Sequence, residues 1–272
     1  MQIKDHFLSQ EVFSLTETDT DGILKTSPLP ESLDQYYESD SYISHHQDSG
    51  SLKEKLYKFL QSFNLKYKKR ILHTVCSQNA KVLDYGCGAG QFLKFIEDDF
   101  KTFGFEPNAA AKSAAEKKLG KTKIISDLNT IGNGSLDAIT LWHVFEHIEN
   151  QDEILRLFHQ KLNSKGVLII AVPNPTSYDA IHYKEYWAAY DVPRHIFHIT
   201  KKGMENLMNT PKWKIKKIKP LLLDSFYISV LSEKYQKNTI SWLKGFYYGA
   251  ISNIKASKTG QYSSLIYIIE KK

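Results

Sequence analysis

Short apolar runs alternate with longer segments of helical periodicity through the middle of the chain. Val82-Leu83 and the run over residues 166–172 are apolar stretches of strand length, and the segments between such runs show the spacing of amphipathic helices. Strands that alternate with helices are typical of a parallel sheet covered by helices on both faces. We therefore predict a doubly wound α/β core over residues 80–172.

A long amphipathic helix is predicted before this core. Apolar residues recur at helical spacing between residues 51 and 75, so one face of the helix would pack against the sheet. These residues are Leu52, Leu56, Phe59, Leu60, Phe63, Tyr67, Ile71, Leu72 and Val75. The main domain is therefore predicted to span residues 51–272.

Residues 1–50 differ from the rest of the chain because they are polar and rich in turn signals, among them Ser27-Pro28-Leu29-Pro30. The segment also carries a cluster of aromatic residues and histidines that includes Tyr37 and Tyr42. We predict an N-terminal extension with two alternative roles. It either forms a lid over a cleft of the main domain, with Tyr37 and Tyr42 contacting the substrate, or lies on the surface, anchored by its aromatic residues.

The C-terminal part of the chain continues the alternation of strands and helices. We predict a helix over residues 201–209 with Thr200 as its N-cap, a sixth strand over 213–223 and a last strand over 263–269. Apolar residues within 224–260 indicate two helices inserted before the last strand. An insert of this length is seldom an idle loop. It either walls a substrate pocket, binds a partner subunit or lies on a membrane surface, and the few lysines among its aromatic residues favour the first two roles.

Glycine recurs at every second position directly after the first core strand, in Asp84-Tyr85-Gly86-Cys87-Gly88-Ala89-Gly90. Glycines at such a turn give the backbone dihedral angles that other residues avoid, and they let a ligand approach the main chain. The spacing differs from the G-x-G-x-x-G fingerprint of dinucleotide sites, because the third glycine comes one residue early. The carboxylate of Asp84 would repel a pyrophosphate but suits an amino group or a sulfonium.

This glycine motif resembles the first motif of class I S-adenosylmethionine (SAM)-dependent methyltransferases. The resemblance extends from about residue 81 to residue 172, with segments that match the second to fifth strands of the family at 102–106, 123–128, 136–142 and 166–173. It implies a Rossmann-like, mostly parallel seven-stranded sheet whose last strand is antiparallel and lies between the fifth and sixth. It also implies an enzyme that uses S-adenosyl-L-methionine and releases S-adenosyl-L-homocysteine.

The resemblance also assigns the cofactor-binding residues. Glu106 matches the acid that accepts hydrogen bonds from the two ribose hydroxyls, which suits a carboxylate with two acceptor oxygens. Asp127 matches the position that meets the adenine amino group, although each acid has an alternative role as a helix N-cap. The expected cofactor contacts are Asp84, Tyr85, Gly86, Cys87, Gly88, Gly90, Glu106, Pro107, Asp127, Leu128, Trp142 and His143.

Trp142-His143-Val144-Phe145-Glu146-His147 directly follows the fourth strand. On a helical turn His143, Glu146 and His147 would share one face, and histidine is the natural base near neutral pH. The motif resembles the small-molecule branch of the family, including quinone-pathway O-methyltransferases, which makes His143 and His147 candidate catalytic bases. Two alternatives stay open: Glu146-His147 caps the next helix, or the histidines bind a metal. We predict no metal site, because His143 replaces the first glutamate of the E-x-x-E-H motif of metal-binding small-RNA methyltransferases.

The segment over residues 173–200 lies where this fold carries substrate-selecting elements. It contains a pattern of aromatic residues, histidines and an arginine that resembles a bacterial branch whose acceptors are often unknown. His195 is a third candidate base, and Arg194 is a candidate to hold a carboxylate or phosphate of the substrate. The alternative is an internally hydrogen-bonded loop in which Arg194 pairs with Asp191. The expected substrate contacts in this segment are Trp187, Arg194 and His198.

Composition and charge place few limits on the function. Hydrophobic residues make up 42% of the chain, and no apolar run reaches the ~20 residues that span a bilayer. Without a signal-peptide pattern at residue 1, a cytoplasmic location is predicted. The net charge is +6, but the basic residues are concentrated at 66–70 and 212–219, where solvated faces explain them better than a nucleic acid does.

The leading prediction is a bacterial SAM-dependent methyltransferase that acts at an oxygen atom of a small molecule or biosynthetic intermediate. An RNA methyltransferase is the first alternative, since the chain is basic. Against it, no Asn/Asp-Pro-Pro-aromatic tetrad follows the fourth strand. A non-catalytic SAM-binding regulator is the second alternative. A homodimer is compatible with the sequence, and a nucleic-acid partner is not expected.

Overall fold

The computed structural model describes the backbone of residues 1–37 and 52–272, and the side chains of residues 1–37, 61–121 and 123–272. Its strands are β1 (Gln2–Lys4), β2 (Val12–Glu17), β3 (Ile23–Ser27), β4 (Lys81–Tyr85), β5 (Lys101–Phe105), β6 (Ile124–Ile125), β7 (Leu136–Trp142), β8 (Leu162–Pro173), β9 (Phe197–Ile199), β10 (Trp213–Pro220) and β11 (Ser264–Lys271). Its α-helices are α1 (Leu52–His73), α2 (Gln91–Ile96), α3 (Ala109–Leu119), α4 (Gln151–Lys161), α5 (Tyr178–Tyr183), α6 (Lys201–Leu207), α7 (Asp224–Tyr235) and α8 (Ser241–Thr259). Tyr42, a predicted substrate contact, lies outside the described residues.

Seven strands form the main sheet in the order β10-β11-β8-β7-β4-β5-β6. The five strands from β8 to β6 run parallel, whereas β11 is antiparallel to both of its neighbours, β8 and β10. The predicted fold class is therefore confirmed, including the antiparallel last strand. The strand order reverses between β4 and β7, which places the ligand crevice of a doubly wound sheet at the carboxyl ends of these two strands.

Helices cover the main sheet on both faces. Successive residues of a strand point to opposite faces, so Val82 of β4 packs with Ile71 of α1 and Phe92 of α2, whereas Leu83 packs with Phe158 of α4. Both β4 residues are fully buried. Burial on both faces explains why the core strands are continuous apolar runs and do not alternate with polar residues.

The N-terminal residues form a second sheet, with the order β1-β2-β3-β9. Strand β9 comes from the segment that was predicted to select the substrate, and Ile23 of β3 pairs with Ile199 of β9. The apolar side chains of Ile3 and Phe13 are buried in one cluster with Trp187. The N-terminal extension is thus joined to the 173–200 segment, while its covering role stays a prediction.

The insert before the last strand consists of α7 and α8, as predicted. The two helices pack closely because α8 presents glycine where it meets α7: a Cβ on Gly245 would lie 2.5 Å from Val230 Cα. A Cβ on Gly249 would lie 2.8 Å from Phe226 Cα. None of the helices in the described parts of the chain is long and apolar enough to cross a membrane.

Candidate active site

The glycine loop after β4 lies on the carboxyl end of β5. The backbone N–H groups of Gly86 and Cys87 donate to Phe105 O at 2.8 and 3.0 Å. One residue further on, the Glu106 carboxylate accepts from Gly88 N at 2.8 Å and from Asn108 N at 2.9 Å. Glu106 is therefore held against the loop by both of its oxygens, and each oxygen keeps a further lone pair for a ligand.

Gly86 and Gly88 need glycine for different reasons, although both have positive φ angles of 74° and 53°. A Cβ on Gly86 would lie 2.5 Å from Val144 Cγ2, so the loop packs tightly against the segment after β7. A Cβ on Gly88 would meet no atom within 4 Å. The open space beside Gly88 and Glu106 fits a ligand that approaches the loop backbone, as the predicted cofactor would.

Asp84 is buried beneath the loop with 3% of its surface exposed. Thr140 Oγ1 donates to Asp84 Oδ1 at 2.6 Å. Burial raises the pKa of Asp84 to about 7, although the Thr140 hydrogen bond and the nearby Lys68 ammonium oppose the shift. Asp84 is therefore anchored to β7 just before the loop, and its charge state depends on burial, on Thr140 and on Lys68.

The structure brings all three predicted acids to neighbouring strand ends, since β4, β5 and β6 are adjacent and parallel. Asp127 follows β6 and caps a short 3₁₀ turn, with Asn129 N donating to Oδ1 at 2.8 Å. Asp127 thus acts as a cap with one of its two carboxylate oxygens. Leu128 and Cys87 are buried, and Tyr85 stacks on Phe105 with ring centroids 4.7 Å apart.

The helical turn predicted over residues 143–147 is wrong. His143 has a left-handed φ of 57°, and only residues 145–147 form a 3₁₀ turn. The His143 ring lies between two acids: its Nε2 is 2.8 Å from Asp224 Oδ2, and its Nδ1 is 3.4 Å from Glu146 Oε1. Although burial opposes the charged form, these two carboxylates raise the pKa of His143 to about 10. An imidazolium in this state is a poor general base at neutral pH.

His147 and His195, two of the predicted bases, lie beside each other with ring centroids 4.6 Å apart. His147 Nδ1 lies 2.8 Å from Arg194 O and 3.1 Å from the Tyr37 hydroxyl, so Tyr37 contacts this cluster, while its role as a substrate contact stays a prediction. His195 Nδ1 lies 2.9 Å from Ala189 O. Burial and the neighbouring His147 lower the pKa of His195 to about 4, which keeps its ring neutral.

The other predicted substrate contacts are engaged by the chain itself. Arg194 is 1% exposed and donates to both oxygens of Asp191, to Asp5 Oδ1 and to Tyr36 O. The Trp187 indole donates to Asp179 at 2.8 Å, and His198 Nε2 lies 2.9 Å from Thr26 Oγ1. These contacts correspond to the internally hydrogen-bonded loop that was the alternative for this segment.

Two residues that border this region were missed by sequence reasoning. Lys68 of α1 lies over the Trp142 ring at 4.6 Å, although its basic neighbours indicated a solvated face. Burial lowers the pKa of Lys68, while the Asp84 and Asp224 carboxylates oppose the shift. Asp224 is the acid of the first turn of α7, a signal in the sequence, but nothing there connected it with His143.

A family model described as a methyltransferase domain matches residues 56–213. The match covers more than half of the chain, so the protein belongs to this methyltransferase family. The predictions of a class I methyltransferase, and of an enzyme whose cofactor is S-adenosyl-L-methionine, are thereby confirmed.

Among curated proteins, the chain is 29% identical over 118 residues to a carboxy-S-adenosyl-L-methionine synthase of Campylobacter jejuni, which covers 40% of this chain and 50% of the relative. It is 26% identical over 145 residues to an uncharacterized protein of Methanocaldococcus jannaschii, which covers 49% of this chain and 56% of the relative. The chain thus spans about half the length of the curated relatives it matches.

Among solved structures, a cyclopropane synthase of Mycobacterium tuberculosis is 13% identical with a TM-score of 0.50, covering 83% of this chain and 87% of that one. A geranyl diphosphate C-methyltransferase from Streptomyces coelicolor is 11% identical with a TM-score of 0.51, covering 76% of each chain. At these identities the similarity shows a shared fold and leaves the acceptor open.

Proposed function

We propose that the protein transfers the methyl group of S-adenosylmethionine to an oxygen atom of a small-molecule acceptor. The observation that carries this proposal is the Glu106 carboxylate, which lies at the end of β5 and is bonded to the backbone of the glycine loop. These bonds fix the acid relative to the loop in the crevice where doubly wound sheets bind ligands.

On the donor side, Glu106 would accept hydrogen bonds from the two ribose hydroxyls with its remaining lone pairs. Gly88 would let the cofactor approach the loop backbone, and Asp84 would attract the amino end of the methionine moiety. Asp127 would border the adenine with the oxygen that does not cap the 3₁₀ turn. The sulfonium already makes the methyl carbon reactive, so the main task of these residues is to position it.

On the acceptor side, two imidazoles each keep one ring nitrogen without a hydrogen bond to the residues that the structure describes. His147 and His195 each use Nδ1 on a backbone carbonyl, whereas both nitrogens of His143 face carboxylates. The segment that carries His147 packs on the glycine loop through Val144, which supports a role for His147 next to the donor site. We infer that His147 is the first candidate to accept a proton from the acceptor, and that His195, whose lowered pKa makes it a weaker base, is the second; His143 is not a candidate.

The fold by itself leaves the acceptor atom open, because one structural neighbour is a cyclopropane synthase and another is a C-methyltransferase. The histidine cluster supports an acceptor that loses a proton on methylation, of which a hydroxyl is the one we propose. Methylation of a hydroxyl releases a proton, which an available imidazole nitrogen can accept. A hydroxyl on a small molecule is therefore the acceptor that these side chains support best.

Calorimetric titration with S-adenosylhomocysteine tests the donor site. The wild-type chain should bind it, and Glu106→Ala should lower the affinity roughly 10- to 100-fold, because a hydrogen bond to a charged group contributes about 1.5–3 kcal/mol. Asp137→Ala is the matched control. Asp137 also accepts a backbone N–H, from Lys81 at 2.7 Å, but it lies at the amino ends of β4 and β7, away from the crevice at their carboxyl ends. Equal affinities for Glu106→Ala and wild type would show that the ribose assignment is wrong.

A methyl-transfer screen tests the acceptor class. Cell extract separated into small molecules and RNA is incubated with the chain and a radiolabelled methyl donor. We expect label in the small-molecule fraction, as a methyl ether or a methyl ester. Label confined to RNA would favour the first alternative, and cofactor binding without any transfer would favour the regulator.

A further inference from the structure

Three side chains with metal-binding groups converge between the 3₁₀ turn after β7 and the segment before β9. Glu146, His147 and His195 each offer one ligand atom, and these atoms lie within 4.8 Å of one another. Glu146 is 1% exposed and His195 is 8% exposed. We propose that these three residues bind one divalent transition-metal ion, of which Zn²⁺ is the representative.

The Glu146 carboxylate gives the first argument. Among the residues that the structure describes, neither of its oxygens has a hydrogen-bond partner, although both are inaccessible to solvent. The ring nitrogens that come nearest are His143 Nδ1 at 3.4 Å and His195 Nε2 at 3.9 Å, and both distances exceed the range of roughly 2.7–3.2 Å for an N–H···O hydrogen bond. Buried carboxylates are normally paired or coordinate a metal. A bound cation would satisfy this one.

The orientation of the two imidazoles gives the second argument. Nδ1 of His147 faces Arg194 O at 2.8 Å, and Nδ1 of His195 faces Ala189 O at 2.9 Å. A carbonyl can only accept, so each Nδ1 carries the proton and each Nε2 keeps its lone pair. Histidines that bind metals usually donate their other N–H to a carbonyl or carboxylate in this way. Both rings are thus fixed in the tautomer that binds a metal through Nε2.

The ligand set indicates which ions fit. Two imidazole nitrogens and one carboxylate suit Zn²⁺ and other borderline transition metals, whereas Mg²⁺ and Ca²⁺ prefer oxygen ligands throughout. Metal–ligand bonds of ~2.0–2.2 Å would bring the ligand atoms to roughly 3–3.5 Å from one another, so the side chains must close by about 1 Å on binding. Three protein ligands leave a coordination position open for water or a substrate oxygen.

The ion and a proton would compete for the same nitrogens. In the metal-free chain Nε2 of His147 or His195 can accept the proton of the acceptor. In the metal-loaded chain both are ligands, and the ion would lower the pKa of a bound acceptor hydroxyl, whose proton would leave to water. The proposed metal site does not depend on the identity of the acceptor, nor on cofactor binding. It can therefore be tested on the chain alone.

The test uses the tag-free chain of residues 1–272 after dialysis against a chelator. Co²⁺ is added while the visible d–d absorption is recorded, and Zn²⁺ binding is measured by calorimetry. We expect one ion per chain, with Zn²⁺ displacing Co²⁺ and with Mg²⁺ binding at least 100-fold more weakly. A folded, metal-free chain that takes up no Co²⁺ or Zn²⁺ would overturn the proposal, as would equal affinities for Mg²⁺ and Zn²⁺.

Variants locate the bound ion. Glu146→Gln and His195→Asn should each lower Zn²⁺ affinity more than 10-fold. Glu233→Gln is the matched control for the buried acid, since Glu233 is equally buried but accepts a hydrogen bond from Tyr183 at 3.1 Å. His182→Asn is the control for the imidazole, because its ring is stacked on Tyr248 outside the cluster. Circular dichroism confirms that each variant folds. Wild-type affinity in both folded cluster variants would place the ion elsewhere and refute the assignment.

Discussion

The cofactor crevice and the histidine cluster are built in different ways. In the crevice, polar side chains bond to nearby backbone or to the next strand: Glu106 reaches Gly88, 18 residues earlier, and Asp127 reaches Asn129, 2 residues later. In the cluster the partners are distant in the chain. Tyr37 contacts His147 across 110 residues, and Arg194 reaches Asp5 across 189.

This difference has an energetic consequence. The Glu106 and Asp127 bonds join residues no more than 18 positions apart, so they need only the pairing of β4 with β5 and the turn after β6. The cluster needs the N-terminal sheet, the segment before β9 and the insert helix α7 to be in place together. Buried ion pairs and hydrogen bonds hold these elements, so the cluster is the part of the molecule that a single substitution should disturb most.

The largest expected effect comes from Arg194. Arg194→Met keeps most of the side-chain volume but leaves Asp5 and Asp191 without their cation, and Asp5 is 2% exposed. Breaking a buried pair in this way costs about 3–5 kcal/mol, which urea unfolding would measure. Lys202→Met is the control, because Lys202 pairs with Asp21 on the surface and should cause no measurable loss. A destabilisation of Arg194→Met no larger than the control would show that Arg194 is free to bind a substrate.

The same contrast decides how much of the site could be predicted from the sequence. Glu106 could be assigned because it directly follows strand β5, and the position of an acid after a strand can be read from the local sequence. Asp224 could not be paired with His143, because the contact depends on how α7 folds back over the sheet. The spacing of His143, Glu146 and His147 indicated one helix face, but the left-handed backbone at His143 turns that side chain towards α7.

A smaller effect, within the crevice, comes from the titration of Asp84. Its pKa is about 7 in the folded chain and ~3.9 in an unfolded one, so the folded state binds more protons between these values and the free energy of unfolding falls as pH rises. Between pH 5 and 7 this contributes roughly 2–3 kcal/mol, at about 1.4 kcal/mol per pH unit. Asp84→Asn should therefore flatten the dependence of stability on pH, measured by urea unfolding at both pH values.

Thr140→Val separates the effect of burial on the pKa of Asp84 from the effect of the Thr140 hydrogen bond. The Thr140 hydroxyl favours the ionised form of Asp84, so its removal should raise the pKa of Asp84 further and destabilise the chain more at pH 7 than at pH 5. The two variants thus change the pH dependence in opposite directions. Identical pH dependence in wild type and Asp84→Asn would show that Asp84 does not titrate in this range.

The smallest effect on stability is expected at Gly88. The same substitution gives the most direct test of where the cofactor binds. Gly88→Ala meets no atom within 4 Å, so its cost is the strain of a positive φ, about 1 kcal/mol. Gly134 is the matched control, since it has a φ of 63° and equally open surroundings. It lies before β7, at the amino end of that strand and away from the crevice. Both alanine variants should lose similar stability in urea.

Affinity for S-adenosylhomocysteine then separates the two glycines. The methyl group of Gly88→Ala would occupy space that the ligand needs beside Glu106, so binding should weaken at least 10-fold, whereas Gly134→Ala should bind like wild type. Equal affinities would mean that the open space at Gly88 is not where the cofactor lies. Because both variants carry the same backbone strain, a difference between them can only arise from contact with the ligand.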